Sequence, residues 1–176
     1  VTVHQIVVMG VTGCGKTSAA TAIAAIARAH LGEADDLHPQ SNIDKMSRGI
    51  PLTDDDRTPW LTEISAWLGR TAATNTVGVI TCSALKRSYR DILRSTGVPV
   101  YFVHLTGSRD EIADRMRGRA GHFMPTELID SQFAILEHLD PDEDGIELDI
   151  RHTPDALAHM ALEAVGLDTV STERTR

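Results

Sequence analysis

Gly10-Val11-Thr12-Gly13-Cys14-Gly15-Lys16-Thr17 has the spacing G-x-x-x-x-G-K-T. Glycines at these intervals let a backbone wrap closely round an anion with successive N–H groups turned inward. A helix opening near Lys16 and Ser18 adds its positive end, Lys16 adds a mobile cation, and the Thr17 hydroxyl offers a ligand to Mg²⁺. Gly10, Gly13 and Gly15 do not have the G-x-G-x-x-G intervals of a dinucleotide fingerprint. The segment from Gly10 to Ser18 therefore reads as a nucleoside triphosphate site, with ATP favoured over GTP.

Phosphoryl transfer also needs a group that orients the acceptor hydroxyl and takes its proton. Glu33-Ala34-Asp35-Asp36-Leu37-His38-Pro39 supplies carboxylates at the end of a weak strand expected beside the first. A solvated acidic turn before proline is the plainer reading, but its expected place beside the phosphate loop favours function. In Pro51-Leu52-Thr53-Asp54-Asp55-Asp56-Arg57-Thr58-Pro59-Trp60-Leu61, one or two aspartates are explained as helix caps. Arg57 is less easily dismissed, because a guanidinium can clamp a carboxylate through two parallel hydrogen bonds. Cys82-Ser83-Ala84-Leu85-Lys86-Arg87 places a hydroxyl and a cation just past another strand. Arg115, Arg117 and Arg119 put three arginines in five residues before Gly121-His122-Phe123-Met124, a pattern expected of a lid over phosphates. Cys14, at a helix start, is either a thiol of lowered pKa shielded by nucleotide or, the favoured reading, a small side chain filling a slot. His4, His30, His104, His138, His152 and His159 read as surface or satisfied core residues, and no Cys/His spacing suggests zinc.

These groups need a scaffold that gathers them. Apolar runs at 5–9, 77–82 and 100–105 lack a polar face, as parallel strands covered on both sides do; weaker strands are expected at 31–35 and 146–150. Helices are expected at 18–30, 42–48, 59–73, 86–94, 109–117, 127–137 and 154–165. Strands alternating with helices imply a doubly wound α/β sheet with right-handed crossovers, whose ligands sit beyond the carboxyl ends of the strands. The motifs above fall at or just after those ends.

The 176 residues suit a single domain over 1–167, with residues 168–176 expected to form a frayed polar tail. A net charge of −8 and 4% aromatic residues argue against nucleic-acid binding. No apolar run reaches membrane-spanning length, and the start of the sequence lacks a signal-peptide pattern. The two cysteines suggest no disulfide scaffold, so a reducing, cytoplasmic setting is expected.

Taken together, the chain resembles the gluconate kinase family of P-loop small-molecule kinases, related to shikimate kinase. The resemblance runs from about residue 6 to 165. It is carried by the phosphate loop, Asp35-Asp36-Leu37-His38-Pro39, Asn42-Ile43-Asp44-Lys45-Met46, Gly49-Ile50-Pro51-Leu52, the Thr53–Leu61 segment, Cys82-Ser83-Ala84-Leu85-Lys86-Arg87-Ser88-Tyr89-Arg90, Gly121-His122-Phe123-Met124 and Ser131-Gln132-Phe133. It implies a nucleoside-monophosphate-kinase-like three-layer sandwich with a five-stranded parallel sheet and a helical lid at about 117–126. It also implies ATP- and Mg²⁺-dependent phosphorylation of D-gluconate at its 6-hydroxyl by a homodimer.

By that likeness Lys16 and Thr17 hold phosphate and Mg²⁺, Asp35 is the base or hydroxyl-orienting group, and Arg119 covers the transferring phosphate. Arg115 would lie near adenine, and Arg57, Lys86 and His122 would meet the sugar acid; on the chemistry of a polyol acid, His38, Asn42 and Ser83 are further candidates for its hydrogen bonds. Ala34 stands where related kinases usually have glycine. The residues alone reach a kinase of a small anionic polyol; a kinase of another hydroxy acid such as shikimate, or a nucleotide-binding switch, are the alternatives.

Overall fold

The computed structural model describes residues 3–118 and 126–167. Its strands are β1 (Gln5–Met9), β2 (His30–Glu33), β3 (Gly78–Thr81), β4 (Val100–Thr106) and β5 (Gly145–Asp149). They form one parallel sheet in the order β2-β3-β1-β4-β5. Its helices are α1 (Lys16–Ala27), α2 (Gln40–Ser47), α3 (Asp54–Ala73), α4 (Arg87–Leu93), α5 (Arg109–Arg117), α6 (Thr126–Ile135) and α7 (Pro154–Val165).

The two-residue period of the central strand explains the three layers. Ile6 and Val8 of β1 face one core with Ile23 of α1, Ile112 of α5 and Leu157 and Leu162 of α7. Val7 and Met9 face the other, with Trp60, Leu61, Ile64 and Leu68 of α3 and Leu93 of α4. Every residue of β1 is buried, which is why the run has no polar face.

Most element ends shift by a residue or two from the sequence expectation, and three of the differences have a clear local reason. The first helix starts two residues earlier than expected and stops at Ala27, where Arg28 turns left-handed (φ 52°) and returns its N–H to the Ala24 carbonyl; His30 is then free to open β2. Pro59 does not begin α3. Thr53 caps that helix in a reciprocal box with Asp56, so Asp54, Asp55 and Asp56 form its acidic first turn and Pro59 sits inside it. Asp35 does not end a strand either: β2 finishes at Glu33, and residues Ala34–Leu37 make a 3₁₀ turn.

Candidate active site

The phosphate loop leaves β1 at the sheet's carboxyl edge. At Gly10 φ is +145°, and a Cβ there would come within 2.7 Å of Cys14 Sγ and 2.9 Å of the Leu105 carbonyl oxygen. At Gly15 φ is +97°, which sets the left-handed turn into α1. The Gly10 N–H donates to the Ser83 carbonyl (3.3 Å), tying the loop to the segment after β3. Lys16 Nζ donates to the Gly10 and Val11 carbonyls, both at 3.1 Å, and so lies over its own loop.

Cys14 is 1% exposed, and burial pushes its thiol pKa up despite the nearby Lys16. That overturns the possibility of an activated thiol: Cys14 fills the slot beneath Gly10 and Leu105.

A cleft of about 550 Å³ opens above the loop. Thr12, Gly13, Gly15, Lys16 and Thr17 line its floor; Glu33, Asp35 and His38 line one wall; Arg57, Trp60 and Ser83 come from α3 and the end of β3. This volume lies within the range that encloses small ligands. The expected residues Lys16, Thr17, Asp35, His38, Arg57 and Ser83 thus share one cavity.

The Asp35 wall is held by α3. Trp60 Nε1 donates to the Ala34 carbonyl (2.7 Å), and the Trp60 ring stacks on His38 at 4.3 Å and 11°. Among the described non-glycine residues only Arg28, Asn75 and Ala84 have positive φ, so the backbone at Ala34 does not require glycine. Burial lowers the His38 pKa, with Asp35 opposing and Arg57 assisting, which keeps the ring neutral at pH 7. Asn42 does not line the cleft. Its buried amide donates to the Asp56 carbonyl (2.9 Å) and meets His38 Nδ1 at 3.3 Å, joining α2 to α3 behind the wall.

Lys86 is the N-terminal cap residue of α4, and its ammonium reaches across to Asp54 (3.2 Å). Asp54 also accepts from the Tyr89 hydroxyl (2.5 Å) and lies 3.7 Å from the Arg57 guanidinium. Tyr89 and Lys86 hold the Asp54 carboxyl below the usual range, and Asp54 in turn raises the Lys86 pKa. Lys86, expected to meet the substrate, is therefore not among the residues lining the cleft; Asp54 ties it to Arg57, which is.

Arg115 donates to the Ile150 carbonyl and passes 3.6 Å from where a Cβ on Gly15 would lie. Ser18 lies exposed in the first turn of α1, behind Thr17. Arg119, His122 and most of the 117–126 segment lie outside the described residues.

Two features of the cleft were not assigned roles from sequence. Gln132 of α6 accepts from the Thr12 N–H (2.6 Å) and donates to the Thr12 hydroxyl (2.8 Å), so it occupies a backbone amide of the glycine-rich loop. Thr81 donates its hydroxyl to Glu33, linking β3 to the carboxylate wall. Ser131-Gln132-Phe133 stood in the sequence as a motif without a task, which was the available signal for the first. The second rests on strand pairing alone.

A parallel sheet in this order, with the phosphate loop on its central strand and carboxylates and cations facing one another across the cleft, defines a P-loop kinase that acts on a small molecule. No family model matches the chain. It is 48% identical over 152 residues to a gluconokinase from Gluconobacter oxydans, covering 86% of this chain and 85% of that one. It is 45% identical over 163 residues to the thermosensitive gluconokinase of Escherichia coli, covering 92% and 87%. The crystal structure of a gluconokinase from Sinorhizobium meliloti superposes with a TM-score of 0.81 at 44% identity, covering 93% and 91%. The chain belongs to the gluconokinase family.

Proposed function

We propose that this chain transfers the γ-phosphoryl group of ATP to the 6-hydroxyl of D-gluconate, giving 6-phospho-D-gluconate and ADP. The observation that carries the reading is the shared cleft: the Lys16–Thr17 floor, the Asp35 wall and the Arg57 side face a single cavity of about 550 Å³. The family relationship supplies the acceptor's identity.

In this reading the loop amides and Lys16 bind the β- and γ-phosphates, and Lys16 must swing from the Gly10 and Val11 carbonyls onto them. Asp35 orients the 6-hydroxyl and accepts its proton as the P–O bond forms. Arg57 clamps the gluconate carboxylate, with Lys86 adding positive charge once it leaves Asp54. Ser83 and neutral His38 hydrogen-bond the polyol, and Asn42 acts by holding His38. Arg115 flanks the adenine side. By resemblance, Arg119 covers the transferring phosphate and His122 meets the sugar acid.

Thr17, with Asp35 and Glu33 on the facing wall, provides the hard oxygen donors that suit Mg²⁺. When bound, the ion neutralises charge on the β- and γ-oxygens. Among the described residues no helix is long and apolar enough to cross a membrane. A cytoplasmic homodimer of single-domain subunits is the family-based expectation, to be checked by sedimentation.

The test is ADP release with Mg-ATP and no acceptor, gluconate, shikimate or other sugar acids. Release that depends on gluconate supports the proposal. Release with shikimate alone would reassign the acceptor, and release without any acceptor would make the protein a nucleotide switch.

A further inference from the structure

On the β5 side of the sheet, two histidines and a glutamate that do not line the cleft converge. His104 projects from β4, where it is 1% exposed. Glu147 comes from the neighbouring strand β5 and is its register partner. His138 comes from the connection between α6 and β5, and its side chain is 64% exposed. Among the described residues these are the only three metal-ligating side chains whose donor atoms all lie within 4.8 Å of one another.

The hydrogen bonding here is lopsided. His104 Nδ1 lies 3.0 Å and His138 Nδ1 2.9 Å from the same oxygen, Glu147 Oε1, and the Leu139 N–H also points at it from 3.2 Å. A carboxylate oxygen has about two lone-pair directions, so three donors crowd it while both imidazoles aim the same nitrogen inward. A divalent cation replacing the two ring protons would relieve that crowding, since each Nδ1 and the carboxylate would then be ligands.

Tetrahedral Zn²⁺ with bonds of about 2.0–2.1 Å separates its donors by roughly 3.3–3.4 Å. The two N···O distances therefore need to open by only a few tenths of an ångström, and His138, on an exposed connection, can rotate to bring the two nitrogens together. A cavity of about 40 Å³, lined by both histidines together with Val11, Thr106, Phe133 and Leu136, adjoins the cluster. That is room for a water as fourth ligand. Two imidazoles and one carboxylate suit Zn²⁺ or a similar borderline-soft ion and disfavour Mg²⁺, so the site would not compete for the nucleotide's metal.

We infer that His104, His138 and Glu147 form a zinc-class cation site that pins the α6–β5 connection to strands β4 and β5. The consequence is structural: the site anchors the chain directly after the helix that carries Gln132. It does not depend on the kinase reading.

The test uses the full chain without nucleotide or Mg²⁺. Zn²⁺ is titrated calorimetrically, melting temperature is read with and without it, and Co²⁺ is added as a spectroscopic probe of coordination. One Zn²⁺ per chain, a raised melting temperature and tetrahedral-type Co²⁺ bands are expected. His138→Ala and Glu147→Gln, both at partly exposed positions, should weaken uptake by roughly 100-fold or more, whereas His159→Ala, at an exposed helical position, should not. Circular dichroism of each variant without metal checks that it folds. Absence of uptake by the wild-type chain at micromolar Zn²⁺, or equal uptake by folded His138→Ala and wild type, would overturn the inference.

Discussion

Replacing Glu143 with glutamine should cost the fold about 3 kcal/mol, because it strips the counter-charge from a guanidinium that water does not reach. The Arg90 and Glu143 side chains are both 0% exposed. They meet through two parallel hydrogen bonds, Nε to Oε1 at 2.7 Å and Nη2 to Oε2 at 2.9 Å, and Glu143 also takes Arg94 at 2.8 Å and the Asp140 N–H at 3.0 Å. Removing one member of a buried pair costs about 3–5 kcal/mol, and glutamine keeps one oxygen acceptor, which places the expectation at the low end. For a chain of this size that is a fall of roughly 6–12 °C in melting temperature.

The loss should depend on pH with a definite sign. Burial alone would raise the Glu143 pKa, but Arg90, the Asp140 amide and Arg94 outweigh it and hold the carboxyl down at about 2, against an ordinary 4.5. A depressed folded-state pKa stabilises fully above the unfolded value and loses its contribution as pH falls from about 4.5 toward 2. The gap between wild type and Glu143→Gln should therefore be constant near neutrality and close in acid. Urea denaturation followed by the fluorescence of Trp60 and Trp67, repeated across that range, measures both. A loss under about 1 kcal/mol, or a gap that persists unchanged into acid, would mean that Glu143 does not neutralise Arg90 in the folded core. The pair also bears on the site. Arg90 Nη1 donates to the Ala84 carbonyl (3.0 Å), and Ala84 holds a left-handed φ of 43° between Ser83 and Lys86. Loosening it should raise KM for gluconate severalfold.

The remaining expectations concern the cleft. Lys16→Ala should lower kcat by at least about a thousandfold in the ADP-release assay, since charge on the transferring group loses its cation; near-normal kcat would remove Lys16 from the reaction. Asp35→Asn should cut kcat far more than ATP affinity measured by titration, and an unchanged kcat would move the base to Asp36. Arg57→Ala should raise KM for gluconate with little change in kcat, and an effect confined to ATP would refute the carboxylate clamp. Cys14 and Cys82, both buried with thiols pushed up in pKa (Cys82 to about 12), should resist alkylation of the folded protein at neutral pH whether or not nucleotide is present.

What the sequence disclosed follows the range of the interactions involved. The phosphate loop is written in consecutive residues, and the buried strands announce themselves by unbroken apolar runs, so the α/β architecture and the loop's position were legible. Helix ends were less so, because Thr53 and Asp56 cap α3 before Pro59, a residue that by itself signals a first turn. Contacts between residues far apart in the chain were not legible at all. Gln132 reaches Thr12 across 120 positions and Glu143 reaches Arg90 across 53, and neither side chain has a local pattern that names its partner. The same holds for His104, whose cluster is made by strand pairing and a returning connection rather than by ligand spacing.

Transfer of phosphate to one particular hydroxyl can be read from phosphorus–proton correlation spectroscopy of the reaction product. With Mg-ATP and gluconate, a single phosphomonoester is expected whose phosphorus couples to the two protons on C6. Inorganic phosphate as the sole new phosphorus signal, or coupling to a proton on any other carbon, would contradict it.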